Sequence, residues 1–226
     1  NPLDPYNTIA FKADKPVFGD DWFINVGAIS DTTYEPTRIP TPIGAQYTGK
    51  SPQNNTFGRY GRTAINETAI LELALIKGDT AYKPPDLEIR ITPAFNFNFN
   101  TVGELGVLNI DPEKGTTRKD NFLGLQEGFV DYHIRNVSEY YDFDSIRVGI
   151  QPFNADFRGF LFQDNQLGVR LFGDRDANRW QYNLAYFQRL EKDTNSGLND
   201  LGQAVRQDGL FVANLYHQDL PVLGFT

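Results

Sequence analysis

The chain has 226 residues, no Cys, no Met, 14% aromatic residues and a formal net charge of −8, with a pI near 4.8. Zero cysteines exclude a disulfide-stapled scaffold and thiolate chemistry, the acidic balance argues against a nucleic-acid partner, which needs a basic patch, and no run reaches the ~18–20 apolar residues of a membrane helix. A mean hydropathy of −0.45 leaves a membrane β-barrel open, because alternating strands average to a polar value.

In chain order, residues 1–21 begin without Met and lack the basic start and apolar centre of a signal peptide. They read as an N-terminal segment on the periplasmic side of the first strand. Residues 22–34 set Trp22, Ile24, Val26, Ala28 and Tyr34 against Asn25, Asp31, Thr33 and Glu35, the two-residue period of a strand. Residues 35–63, rich in Pro, Gly, Thr and Asn, are too long for an ordinary link and read as a functional or disordered loop. A second strand is expected over 64–77, with Ala69, Leu71, Leu73 and Leu75 on one face.

The clearest strand is 87–100. Leu87, Ile89, Ile91, Pro93, Phe95, Phe97 and Phe99 share one face, and Glu88, Arg90, Thr92, Ala94, Asn96, Asn98 and Asn100 the other. The run is about twice the usual ~5–6 residues and covers the ~9–11 that a tilted strand needs to cross a bilayer in a closed barrel. A wet face of Arg90 and three asparagines suits a water-filled lumen. Residues 122–136 oppose Phe122, Val130, Tyr132 and Ile134 to Glu127, Asp131, His133 and Arg135, and 144–153 oppose Ile146, Val148, Ile150 and Pro152 to Arg147, Gly149 and Gln151. Further strands are expected at 166–173, where Leu167, Val169 and Leu171 oppose Gly168 and Arg170, at 180–190, and, with the weakest pattern, at 209–219. Residues 220–226 read as the start of another strand, so the sequence reads as a segment of a longer chain.

The connections 35–63, 78–86, 101–121, 137–143, 154–165, 174–179 and 191–208 alternate long and short. Outer-membrane barrels pair short periplasmic turns with longer extracellular loops. Trp22, Tyr34, Trp180 and Tyr182 stand at strand ends, where amphipathic rings form girdles at the headgroup level. The expected fold is all-β: an antiparallel transmembrane β-barrel over 22–226 in a Gram-negative outer membrane. About eight of its strands lie here, within a larger barrel whose extracellular loops are 35–63, 101–121, 154–165 and 191–208.

The stretch Ser145-Ile146-Arg147-Val148-Gly149-Ile150-Gln151-Pro152-Phe153, then Asp156-Phe157-Arg158-Gly159-Phe160 and Leu167-Gly168-Val169-Arg170-Leu171, resembles the Arg-x-Gly-x-Gln strand, loop and next strand of large Gram-negative barrels of the alginate-export and porin superfamily. The resemblance covers residues 145–190. It implies a barrel of sixteen or more strands, passive passage of small solutes or a polysaccharide, Arg147 and Gln151 as lumenal residues, and Arg158 in a loop that narrows the pore.

Wet-face charges form the main candidate site: Glu88, Arg90, Glu127, Asp131, His133, Arg135, Arg147 and Arg170, with Gly124, Gly128 and Gly149 leaving room among them. Mixed charges across a pore orient polar solutes, and rings of Arg select anions. The same residues would serve stability alone in a barrel whose interior is closed by salt bridges. Ser145 near His133 is the one candidate nucleophile and base, and a hydrogen bond between them would be required; no catalytic role, cofactor or metal is expected. Asp193–Asp200 has oxygen-rich composition but lacks the spacing of a calcium loop, and reads as an outer turn. The function expected is an outer-membrane pore or transport barrel for small polar or anionic solutes or saccharides. Its partners are lipid, lipopolysaccharide and solute, with a protein partner left open. A scaffold barrel and a soluble all-β carbohydrate-binding domain are the alternatives.

Overall fold

The computed structural model describes residues 8–41, 60–80, 83–156 and 158–218. Among them, eight strands form one antiparallel sheet in chain order: β1 Trp22–Arg38, β2 Gly61–Lys77, β3 Leu87–Val102, β4 Thr117–Asn136, β5 Phe143–Asn154, β6 Gln163–Arg175, β7 Trp180–Gln188 and β8 Gly209–His217. Each pairs only with its sequence neighbours. β1 and β8 do not meet, so the sheet is open and the closed barrel is not formed by these strands. Residues 11–13 run along the lower part of β1's outer edge, where Ala13 N–H donates to Ile24 O and Phe11 O accepts from Val26 N–H, both at 2.9 Å. The connection expected at 35–63 contracts, since 35–38 and 61–63 belong to β1 and β2; its residues 42–59, like 220–226, lie outside the described residues.

Burial inverts the usual order. On β3, Ile91 and Phe95 are 49% and 43% exposed, while Thr92, Ala94 and Asn96 are 4%, 1% and 3% exposed. Side chains crowd inside a curve and splay outside it, so the sheet curls toward its polar face. Cross-strand register extends the pattern: Val26, Leu73 and Ile91 share a row on the apolar face, as do Val130 and Val148, and Val148 and Val169.

Two irregularities redirect side chains. Pro93 has no N–H to give a ladder, and a proline inside a sheet sits at a bulge or an edge. At Thr92/Pro93 the β3–β4 register shifts and Gln126 is left over, opposite nothing. That extra residue reverses the parity of upper β4: Phe122 opposes Asn96 on the polar face, and Leu123 opposes Phe95 on the apolar face at 68% exposure. Alternation alone puts Phe122 on the apolar side, and the bulge overturns that. A second shift between His133 and Arg135 leaves Ile134 unpaired. Gly128, expected on the wet face, opposes Ile91 and Ile150 on the apolar one.

Short connections (78–86, 137–142, 176–179) lie at one end and 103–116, 155–162 and 189–208 at the other. The contrast in length is weaker than the sequence pattern implies, because the strands run on into the long loops; 155–162 is no longer than 78–86.

Candidate functional site

The polar face is built in rows. Alternation puts one polar residue at every second position, and register aligns those of adjacent strands. One row reads Glu88, Asp131, Arg147, Arg170 across β3–β6, and the next reads Arg90, Phe129, Gly149, Gly168. Gly149 has φ 129° and its Cβ position falls on the backbone of Gly128, so no side chain fits there. The two facing glycines let neighbouring atoms pack close beside the arginine row, since a Cβ at Gly168 would fall on the Phe187 ring.

The carboxylates stand on β3 and β4 and the uncompensated cation on β6. Arg90 Nη2 lies 2.6 Å from Glu88 and Nη1 3.7 Å from Glu127, whose carboxylate also accepts from Thr92 Oγ1 at 3.1 Å. Arg147 Nη2 lies 2.7 Å from Asp131, with side chains 18% and 9% exposed, and its guanidinium sits 4.3 Å from the Phe129 ring centre. Arg170 stacks 4.3 Å over Phe172, and its Nε donates to Asn183 Oδ1 at 2.7 Å. It makes no ion pair among the described residues. Three carboxylates and three guanidiniums thus meet, with Arg90 shared between two acids and Arg170 left over. The electric field therefore points from Arg170 on β6 toward the carboxylates of β3–β4.

The other expected residues divide. Gln151 lies on the polar face but is 0% exposed, its amide donating to Gly168 O at 3.1 Å; it holds the sheet rather than facing a solute. His133 opposes Ser145, yet its Nε2 meets Asn136 Oδ1 at 2.8 Å, and neither its Nδ1 nor Ser145 Oγ has a hydrogen-bond partner. No Ser–His dyad is formed. Arg135 does not join the site: the bulge at Ile134 turns it to the apolar face, where it pairs with Asp144. Arg158 is exposed in the loop 155–162, its N–H donating to Asp156 Oδ1 at 2.9 Å.

Sequence reasoning missed a hairpin. The connection 189–208 folds back onto the polar face instead of standing away from it. Lys192 and Asn199 form a β-bridge, and Asn199, 0% exposed, donates from Nδ2 to Leu125 O at 3.1 Å and Asn165 O at 3.0 Å. It touches β4 at Gly124, where a Cβ would fall 2.8 Å from Asn199 O and from Leu198 Cβ. Lys192 reaches Asp164 at 2.7 Å. Oδ2 of Asp193 is taken up by its own turn, accepting from Ser196 N–H at 2.8 Å and Ser196 Oγ at 2.7 Å. The Ser196 hydroxyl, with the backbone N–H groups of the turn, holds the Asp193 carboxyl below the usual carboxylate range against the opposing effect of desolvation. Of the apolar residues in this loop, Leu190 and Leu198 are buried while Leu201 and Val205 are exposed, so composition alone does not mark which part of the segment packs.

Above β7, Phe153, Ala185 and Phe187 make a small buried cluster, joined by Phe162 from the loop 155–162 and by Leu210 and Val212 from β8. No protein-family model, no curated protein and no solved structure matches the chain.

Proposed function

We propose that this chain forms part of the wall of an outer-membrane barrel and lines a water-filled passage for small polar or anionic solutes. One observation carries the reading: the shielded face buries Glu88, Thr92, Asn96, Asp131 and Gln151 beside Phe129, Phe153 and Phe187, while Ile91, Phe95, Leu123, Val148, Val169, Leu184, Phe211 and Leu215 on the other face are 43% exposed or more. Water would expel so broad an apolar surface, since soluble monomers rarely bare more than a few hundred Å² in one patch. Lipid would accept it, and a polar interior is what a pore contains. The porin-like pattern of 145–190 supports the same reading, in which Arg147 and Arg170 border the solute's path and Arg170 is the one without an ion pair among the described residues.

A scaffold barrel is the second reading, favoured by the near-complete pairing of the carboxylates. Planar-bilayer conductance separates the two. A pore conducts, and Arg170→Gln shifts its selectivity toward cations without leaving any carboxylate unpaired. A folded, membrane-inserted wild type that never conducts excludes the pore.

A further inference from the structure

Arg135 and Arg175 sit on the apolar face at the end where the short turns lie. The bulge at Ile134 brings Arg135 opposite Asp144. Asp144 accepts from Arg135 Nε at 2.8 Å, from Arg175 Nη2 at 2.7 Å and from the Tyr182 hydroxyl. Two guanidiniums therefore share one carboxylate. Arg175 is fully engaged, since its Nη1 also donates to Asp174 O at 2.6 Å and Phe143 O at 3.2 Å. Arg135 is not: its side chain is 67% exposed, and its two terminal nitrogens have no partner among the described residues. Asp142 is bonded to Ser138, Ala177 and Asn178 and Asp174 accepts from the Phe143 N–H, so neither pairs with Arg135, and Glu139 stands exposed in the adjoining turn.

The surroundings say what would bind. Tyr132, Ile134 and Val137 are exposed beside Arg135, and Tyr140 and Tyr141 are exposed in the adjoining turn. Along the strands from this point, Val130, Val148 and Val169 form a bare apolar strip. A planar guanidinium with two free N–H edges matches a phosphate oxyanion. An anion that also needs the strip must carry hydrocarbon. We propose that Arg135 binds the phosphate of an anionic glycerophospholipid, whose acyl chains lie along Val130, Val148 and Val169. This rests on the reading of the apolar face as the lipid-facing one.

The test uses the chain purified in detergent, with native mass spectrometry of lipid retained from an equal mixture of phosphatidylglycerol and phosphatidylcholine. Flotation with pure phosphatidylcholine vesicles runs beside it. The wild type is expected to retain phosphatidylglycerol in preference, and Arg135→Gln to lose roughly fivefold of that preference, the effect of one basic residue at an anionic surface. Arg158→Gln, in a loop at the other end, keeps it. Should the Gln variant fail to fold, Arg135→Lys preserves the charge beside Asp144 and loses only the fork, and retention falls partway. Unchanged retention in the folded Gln variant, or in Arg135→Lys where the Gln variant does not fold, overturns the proposal while flotation leaves the membrane reading intact. A wild type that does not float removes both. If inorganic phosphate binds the lipid-free protein through Arg135 as tightly as phosphatidylglycerol does, the ligand is a free anion and the lipid site is rejected.

Discussion

Strands β1–β4 run for 17, 17, 16 and 20 residues, and β5–β8 for 12, 13, 9 and 9. A tilted strand crosses a bilayer in about 9–11 residues, so on the membrane reading the first half projects beyond it and the second barely spans it. The added height mixes polar and apolar residues, with Phe97 beside Glu67 and the row Tyr34, Ile65, Phe99 above them. Even the otherwise apolar face carries Ser30 and Thr32 there, both bonded to Glu67. The two halves also fill their shielded face differently. In the tall half it is a network of amides and charges, Asn66, Thr68, Asn96 and Asn98 above Glu88 and Arg90. In the short half it is partly a hydrocarbon cluster around Phe187. The tall half gains its height by strand pairing, whereas the short half sends the hairpin 189–208 across to the tall half's Gly124. A wall can thus be wet along one sector and closed along the next.

The largest expected effect tests that division. Phe187 is 0% exposed and lies 5.0 Å from Phe153 and 5.8 Å from Phe162, ring centre to ring centre. Phe187→Ala is expected to cost about 3–5 kcal/mol, the cost of a large core truncation. Asn98→Ala in the tall half loses one neutral hydrogen bond, to Asn96, and is expected to cost about 0.5–1.5 kcal/mol. Urea unfolding in the same detergent compares them. Equal losses would mean that both halves are packed alike.

Next comes depth. Phe95 opposes Ala69 and Leu123 within the apolar band, and Tyr34, 65% exposed, stands near the far end of β1. An arginine facing lipid costs about 2–4 kcal/mol at mid-bilayer and about 0–1 kcal/mol near an interface. Phe95→Arg and, in the short half, Leu184→Arg should both impair assembly, while Tyr34→Arg should be nearly silent. Heat-modified gel mobility of refolded protein reads the difference. A damaging Tyr34→Arg would show that the tall half does not project.

The same contrast governs how much of the molecule was legible. Periodicity located all eight strands and placed the starts of β1, β3 and β7 and the ends of β2 and β4 correctly, because at the short-turn end alternation persists nearly to the last residue, and it also placed the start of β8 at the other end. Elsewhere at that other end it falls short, and Pro36-Thr37-Arg38 and Thr117-Arg118-Lys119-Asp120 read as loop. Those extensions are polar on both sides, so no hydrophobic period marks them. The bulges were not read: Pro93 was taken as one more residue of an alternating face, and which residue of β4 would be left over depends on a partner strand that β4's own sequence does not encode. Arg135 was misplaced for the same reason. Arg90, Glu127, Asp131, Arg147 and Arg170 fell on the face expected, while Arg170's lack of an acidic partner emerged only from the register.

The hairpin supplies a smaller test. Asn199→Ala removes two hydrogen bonds, to Leu125 O and Asn165 O, each contributing about 0.5–1.5 kcal/mol. The segment 192–199 should then detach from Gly124 while the sheet stays folded. Hydrogen exchange would quicken at the amides of Asp193, Gly197 and Asp200, which are bonded within the hairpin. If the pore reading holds, single-channel current should rise or become noisier. Unchanged exchange would mean that Leu198 and the Lys192–Asp164 pair hold the hairpin without Asn199.

The smallest effect is acid loosening, and it too divides the halves. Both described long-end loops of the short half are tied by a carboxylate. Asp193 accepts from Ser196 and Asn195, and Asp156 from the N–H groups of Leu161, Arg158 and Phe160. The loop 103–116 of the tall half is tied chiefly by Asn109, an amide with no proton to gain, which donates to Gly115 O and Thr117 O, each at 3.2 Å, while the Asp111 carboxylate accepts only from the Glu113 N–H among the described residues. The Ser196 hydroxyl first of all lowers Asp193, and the Leu161 N–H lowers Asp156. A carboxyl whose folded pKa lies below its unfolded value adds stability that is present above the unfolded pKa and is lost as pH falls through the folded one. The two loops should therefore hold at neutral pH and loosen only below about pH 4, near the free aspartate value. Hydrogen exchange at Ser196 and Leu161 should quicken there, relative to pH-corrected reference rates, while the strand amides of β3 stay protected. Asp193→Asn and Asp156→Asn should each flatten the pH dependence of their own loop alone. Loosening that sets in near pH 6, or that persists in the Asn variants, would assign the acid response to other groups.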